Sequence, residues 1–292
     1  MLTATMACLA LNHVVGRGVH EVAPPVGLSF WRWAIAAILV LLLVRRDLGS
    51  KLPIYRKHGW LFLMLGALMV GSTTLFVWTL QFTQAMNVSL INALQPTMTV
   101  ALTFALLRQR LTPLQIIGIV IGFIGVLAMV SQGSWQLIAS LDFNRGDVVA
   151  LAAVLGLSGY AICLRWLPAG LTPLEALFGI IVAGCLVILP VYLLESALLR
   201  PFPLTPGTAA AVLAMGTIGS VAGNLMWNIG NQVLGPNNAS IFINLIPVFG
   251  VMLGMLILGD RLNLQQWLAC GLVFCGVWIS SRRKVPISPG TL

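Results

Sequence analysis

Residues 87–96 read NVSLINALQP, and residues 238–247 read NASIFINLIP. Asparagine, serine and proline hold the same places in both, 151 positions apart from 87 to 238. The register continues on either side. Gln81/Gln232, Asn87/Asn238, Ser89/Ser240, Leu94/Leu245, Pro96/Pro247, Val100/Val251, Leu107/Leu258, Arg110/Arg261, Leu111/Leu262, Gln115/Gln266, Phe123/Phe274, Gly125/Gly276 and Val126/Val277 lay the region 81–126 over 232–277. Apolar matches arise by chance in an apolar chain, but matched prolines and amides at one offset do not, so the chain reads as an internal duplication.

The duplicated segments sit in a chain that is 59% hydrophobic and 8% charged over 292 residues, where a soluble domain carries about a quarter charged residues. Water is not its main solvent. A spanning helix needs roughly 20 mostly apolar residues, with a range of about 17 to 25. Runs that meet this fall near residues 2–20, 27–44, 58–80, 86–107, 112–131, 147–167, 172–194, 207–230, 237–258 and 263–281. The expectation is an all-α membrane protein of ten transmembrane helices. The first run is interrupted by Asn12, His13, Gly16 and Arg17 and lacks the charged leader of a cleavable signal. Pro24-Pro25, Pro53, Pro113, Pro173, Pro201, Pro203, Pro206 and Gly235-Pro236 punctuate the boundaries. Only 132–147 and 51–58 are long enough between runs for surface structure.

The net charge of +9 comes from residues between the runs, not from a basic face for nucleic acid. With the N-terminus inside, Arg45, Arg46, Lys51, Arg56, Lys57, Arg108, Arg110, Arg165, Arg282, Arg283 and Lys284 collect on the cytoplasmic side, against Arg17, Arg145, Arg200 and Arg261 opposite. That asymmetry and an even helix count put both termini in the cytoplasm of a bacterial-type inner membrane. The duplication then gives a first five-helix repeat at 1–131, a linking loop at 132–146 and a second repeat at 147–292. An odd number of helices per half inverts the second copy, the arrangement in which transporters bind solute near the midplane. Cys8, Cys163, Cys185, Cys270 and Cys275 lie in apolar runs without metal spacing, so they read as small core residues, and neither metal nor cofactor is implied.

The stretch 87–96 followed by LLRQRLTPLQIIGIVIGFIGV at 106–126 resembles the paired repeat of the drug/metabolite transporter superfamily, EamA type. So does NNASIFINLIPVFGVMLGMLILGDRLNLQQW at 237–267, where Leu258-Gly259-Asp260-Arg261-Leu262 stands at the family's L-G-E-x-L. Arg17-Gly18-Val19 and Pro25-Val26-Gly27 are similar to YddG-like exporters of aromatic amino acids. Two departures accompany this: Leu9-Ala10 replaces the family's Trp-Gly, and Arg108-Gln109-Arg110 its G-E-x. The resemblance implies a carrier of small metabolites.

Polar residues inside a bilayer are expensive, and each is either a site residue or helix-to-helix glue. The substrate-binding candidates are Asn12, His13, Trp78, Asn92, Gln95, Ser158, Tyr160, Trp227, Asn228 and Asn244. His13 is read two ways, as a bonded core imidazole or a protonatable cavity residue. Asn92 and Gln95 precede Pro96, and Asn244 precedes Pro247; each proline frees a carbonyl and marks a candidate hinge. Asn224, Trp227, Asn228 and Asn231 form one helical stripe. Amides, hydroxyls and aromatic planes suit a neutral or zwitterionic solute with an apolar side chain. Trp31, Trp33, Trp60, Trp135, Trp166 and Trp267 read as interfacial anchors. Arg32 either holds a substrate carboxylate or snorkels to the interface, and its tryptophan neighbours favour snorkelling with structural pairing. Of the seven acidic residues only Glu175 reads as helical, near a solvated end, which argues against dication transport and a carboxylate proton relay. The Gly118/Gly122 and Gly219/Gly223 pairs read as intramolecular packing in a monomer.

The expected function is export of amino acids, aromatic and other apolar ones, by alternating access. The alternatives are a permease for nucleotide sugars or amphipathic drugs and a non-transporting membrane subunit. No H-E-x-x-H, G-x-S-x-G or facing aspartate pair points to an enzyme.

Overall fold

The computed structural model describes residues 1–19, 22–79, 81–82, 85–109, 112–131, 134, 136, 145–258 and 264–281, and its regular structure is all helix, with no strand among them. The helices are α1 (Leu2–Val19), α2 (Pro25–Val44), α3 (Leu48–Lys57), α4 (Gly59–Thr79), α5 (Ala85–Ala93), α6 (Gln95–Leu107), α7 (Pro113–Val130), α8 (Arg145–Trp166), α9 (Pro173–Leu198), α10 (Pro206–Leu234), α11 (Pro236–Ile241), α12 (Leu245–Leu258) and α13 (Leu264–Ser281). Seven stretches are long and apolar enough to cross a membrane: α2, α4, α7, α8, α9, α10 and Pro236–Leu256. Leu2–Gly16, Gln95–Leu107 and Leu264–Ser280 are shorter apolar helices. Gly259 to Leu262, Trp135, most of the 132–146 loop and Arg282-Arg283-Lys284 lie outside the described residues, as do the side chains of Arg17 and Asn87.

The exterior is apolar, unlike that of a soluble bundle, and the interior holds polar side chains beside a hydrophobic core. Leu41, Leu42, Leu43, Ile116, Ile117, Val120, Leu193, Leu194 and Leu268 are exposed, while Thr5, Ser29, Ser72, Thr74, Thr99, Ser158, Ser220, Asn228 and Asn244 are buried. An exterior this apolar is stable only against hydrocarbon. The chain is a multi-pass membrane protein.

Helix starts are built from short sequence signals, because a backbone N–H left open at a bilayer surface is costly. Three helices begin with Thr-Pro. Thr112 N donates to Gln115 Oε1 at 2.9 Å at the start of α7, and Thr172 N to Glu175 Oε2 at 2.6 Å at α9. Thr205 N donates to Thr208 Oγ1 at 3.0 Å at α10. In each, the threonine hydroxyl accepts in return from the third helical N–H, a capping box. Helix α2 begins after Pro24 with no cap of its own. Its open N–H groups at Val26 and Gly27 donate instead to Glu195 Oε1 and Oε2 of α9, at 3.1 and 2.6 Å.

The acidic residues therefore correct the sequence reading. Glu175, Glu195 and Asp147 all lie in helices and all are buried. Glu175 closes its own capping box, Glu195 caps a neighbouring helix, and Asp147 sits in the first turn of α8, where the helix dipole favours negative charge. Trp33 is likewise no interfacial anchor, being fully buried, whereas Trp60, Trp166 and Trp267 are exposed.

The runs at 86–107 and 237–258 are not continuous helices. The first breaks at Leu94 between α5 and α6, and the second passes through a 3-10 turn at Phe242–Asn244 before α12. Pro96 and Pro247 follow these breaks, each lacking the N–H that a straight helix needs there. Two π-helical segments interrupt the longer helices, Ala67–Gly71 in α4 and Met215–Gly223 in α10. Shifted by the same 151 residues as the repeat, 67–71 falls on 218–222, inside the second segment.

Close packing holds the bundle. Helices α7 and α13 meet backbone to backbone: a Cβ on Gly276 would lie 2.6 Å from Gly122 N and 2.7 Å from Gly118 O. In lipid, where no hydrophobic force drives helices together, small residues at the contact let dispersion do so. The short α3 is anchored by Tyr55, whose hydroxyl donates to the Glu175 carbonyl at 2.8 Å; burial, with nearby Glu175, pushes that phenol up to about 12.

Candidate functional site

The polar interior is organised along α10. Ser220, Asn224, Asn228 and Asn231 recur at spacings of four, four and three, so they share one face over about 16 Å of axis. All four are buried. The stripe begins within the π segment Met215–Gly223, where the widened turn leaves carbonyls without regular partners. Asn224 Nδ2 serves two of them, donating to Gly219 O at 3.2 Å and Ser220 O at 3.0 Å.

At the far end of the stripe Tyr160 of α8 donates to Asn228 Oδ1 at 2.6 Å. The Asn228 and Asn231 Nδ2 groups are buried and have no partner among the described residues. Trp227 is buried beside them. Ser158, two residues before Tyr160, donates to the Gln95 carbonyl at the first turn of α6 at 3.4 Å, and Gln95 is itself buried.

At the near end Asn12 of α1 presses against the α10 backbone at Gly219, where any Cβ would overlap its amide. Its Oδ1 is buried and unpartnered among the described residues. His13 is exposed, on the same turn and within electrostatic range of Arg32. For Arg32 the structure keeps the structural pairing of the sequence reading and overturns the snorkelling. Only 4% of Arg32 is exposed. Its guanidinium stacks over Trp33 at 4.7 Å, and Nη1 donates to Ser220 Oγ at 3.3 Å. Helix α2 starts at Pro25, so Arg32 lies about 10 Å along its axis, two turns in.

The remaining candidates are more scattered. Asn244, in the 3-10 turn before Pro247, is buried with its amide nitrogen at Gly122 of α7 and its Oδ1 unpartnered among the described residues. Asn92 is half-buried in the last turn of α5. Trp78 closes α4, with its ring edge-on to Phe82 at 4.8 Å and no hydrogen bond to the seam among the described residues. The structure thus joins Ser158 with Gln95 and Tyr160 with Asn228, and sets Asn12 and Arg32 on adjacent residues of α10. Arg32, Trp33 and Ser220 are the interior residues that the candidate set lacks. Pro24-Pro25 fixes the start of α2 and so the place of Arg32 two turns along it.

Chemically the seam offers amide donors, amide acceptors, a phenol and one guanidinium, with no carboxylate within ion-pair distance of that guanidinium among the described residues. No group of three or more metal-ligating side chains occurs among those residues.

Residues 1–131 and 144–282 match the model of the EamA-like transporter family. The chain is 29% identical to the uncharacterized transporter YyaM of Bacillus subtilis (strain 168), over 88% of this chain and 84% of that one. It is 30% identical to Protein PecM of Dickeya dadantii (strain 3937), over 82% and 81% respectively. One solved crystal structure superposes with a TM-score of 0.78, covering 96% of this chain and 95% of its own at 16% identity, which is a likeness of fold.

Proposed function

The chain belongs to the EamA-like transporter family, and on that premise we propose that it exports amino acids, aromatic and other apolar ones, across a bacterial-type inner membrane. Ten crossings arise when the three shorter apolar helices complete the seven long ones. They form two inverted repeats, 1–131 and 147–292, joined by 132–146, with both termini in the cytoplasm. The protein works as a monomer without cofactor. The matched position of the two π segments under the 151-residue offset supports the repeat.

The observation that carries the binding site is the set of buried side-chain atoms left without partners among the described residues: Asn12 Oδ1, Asn228 Nδ2 and Asn231 Nδ2 along the α10 seam, with Asn244 Oδ1 apart from it at α7. Buried amides are normally satisfied, and those that are not mark the place of a ligand or water. A zwitterion with an apolar side chain supplies both donor and acceptor to such groups, and Trp227 and Tyr160 flank it with aromatic surface. Asn92, Gln95, Ser158, Trp78 and His13 complete the proposed lining. The helix breaks before Pro96 and Pro247 give the two halves bending points for alternating access.

Counterflow in proteoliposomes tests this. Tryptophan, phenylalanine, methionine and threonine are compared with a nucleotide sugar and an amphipathic cation, with and without a pH gradient. Exchange of the amino acids alone supports the reading. Exchange of the sugar or the cation instead replaces the substrate, and no exchange of any solute removes the transport role.

A further inference from the structure

No carboxylate pairs with the Arg32 guanidinium among the described residues; the Cys185 thiol is the titratable group in electrostatic range of it. Arg32 is 4% exposed, and its Nε has no partner among the described residues. A buried cation is normally neutralised by a carboxylate, because its desolvation is otherwise uncompensated. The described acidic residues are committed elsewhere or distant in the fold: Glu195 accepts from Val26 and Gly27, Glu175 caps α9, Asp147 opens α8 and Asp47 precedes α3. Ser220 and the Trp33 ring hold the guanidinium in place but supply no counter-charge.

The surroundings describe the missing group. Arg32 sits against Ser220 and Asn12 against Gly219, so the two side chains flank one dipeptide of the π segment. One offers an unused donor, the other an unused acceptor. His13, next to Asn12, is exposed and lies in electrostatic range of Arg32.

We propose that Arg32 receives the carboxylate of the transported solute, with Asn12 Oδ1 accepting from its ammonium. The substrate class is then an α-amino carboxylate, held by its head group at the π segment while its side chain points along the seam toward Trp227 and Tyr160. A guanidinium fork pairs with a carboxylate more strongly than with any neutral group of the same size. This rests on the transport reading above and narrows it: an amine lacking the carboxylate binds more weakly.

The test is inhibition of tryptophan counterflow by tryptamine, which lacks the carboxylate, and by indole-3-propionate, which lacks the amine. Indole-3-propionate is expected to compete and tryptamine to be weaker by about tenfold or more. In Arg32→Gln that preference disappears, and in Arg32→Lys part of it returns. The analogue series on the unaltered protein decides the matter even where Arg32→Gln does not fold. Tryptamine competing as well as indole-3-propionate, or an Arg32→Gln protein that keeps the preference, overturns the proposal while leaving transport intact. A protein that exchanges no amino acid overturns the transport reading, and this proposal with it.

Discussion

Tyr160 on α8 donates its hydroxyl hydrogen to Asn228 Oδ1 on α10 at 2.6 Å, with both residues buried, and the Asn228 amide nitrogen is left open beside them. The tyrosine thereby fixes which end of the amide faces the seam. The end left open is a donor, not an acceptor.

Tyr160→Phe removes the donor and keeps the ring. The asparagine oxygen is then buried without a partner, a loss of about 1–2 kcal/mol. A lower melting temperature in detergent is expected, together with weaker apparent affinity for the transported solute; an unchanged value of both would show that the pair does not orient Asn228.

Glu195→Gln retains the shape of the α2 cap but removes its charge and replaces one of its two acceptor oxygens with a donor. Helix N-termini favour anions, so a destabilisation of about 1 kcal/mol is expected, with Glu195→Ala worse because two N–H groups then lose their acceptor. Thermal unfolding of the two variants beside the parent gives the order.

Gly276→Val places a side chain where the backbones of α7 and α13 touch. Neither helix can yield without parting from the other, so a poorly folded or aggregated product is expected on size-exclusion chromatography. Gly271→Val, on the same helix with open space around it, serves as the tolerant control.

Pro96→Ala and Pro247→Ala restore an N–H to α6 and α12. If those breaks are bending points, the maximal rate of exchange falls while the half-saturation concentration moves little, since gating motion and binding are separate steps. A change in affinity alone would assign the prolines to the site.

Much of this architecture was readable in the chain. The Thr-Pro starts, the paired prolines and the spacing of Asn224, Trp227, Asn228 and Asn231 are local signals, and local signals survive without a structure. Glu195 was not readable, because its role depends on N–H groups 168 and 169 residues away. The burial of Arg32 is illegible for a related reason: its flanking tryptophans suit an interface equally well, and its partner Ser220 is 188 residues distant. The breaks before Pro96 and Pro247 were legible as kinks, but the π segments leave no mark in composition.

The most direct measurement is efflux of radiolabelled tryptophan from proteoliposomes holding the unaltered protein, Asn228→Ala or Trp227→Ala. The seam assigned here predicts efflux well above that of empty liposomes for the first and a fall of about tenfold, equivalent to ~1.4 kcal/mol, in each variant. Efflux from the unaltered protein no faster than from empty liposomes, or equal rates in all three, would contradict it.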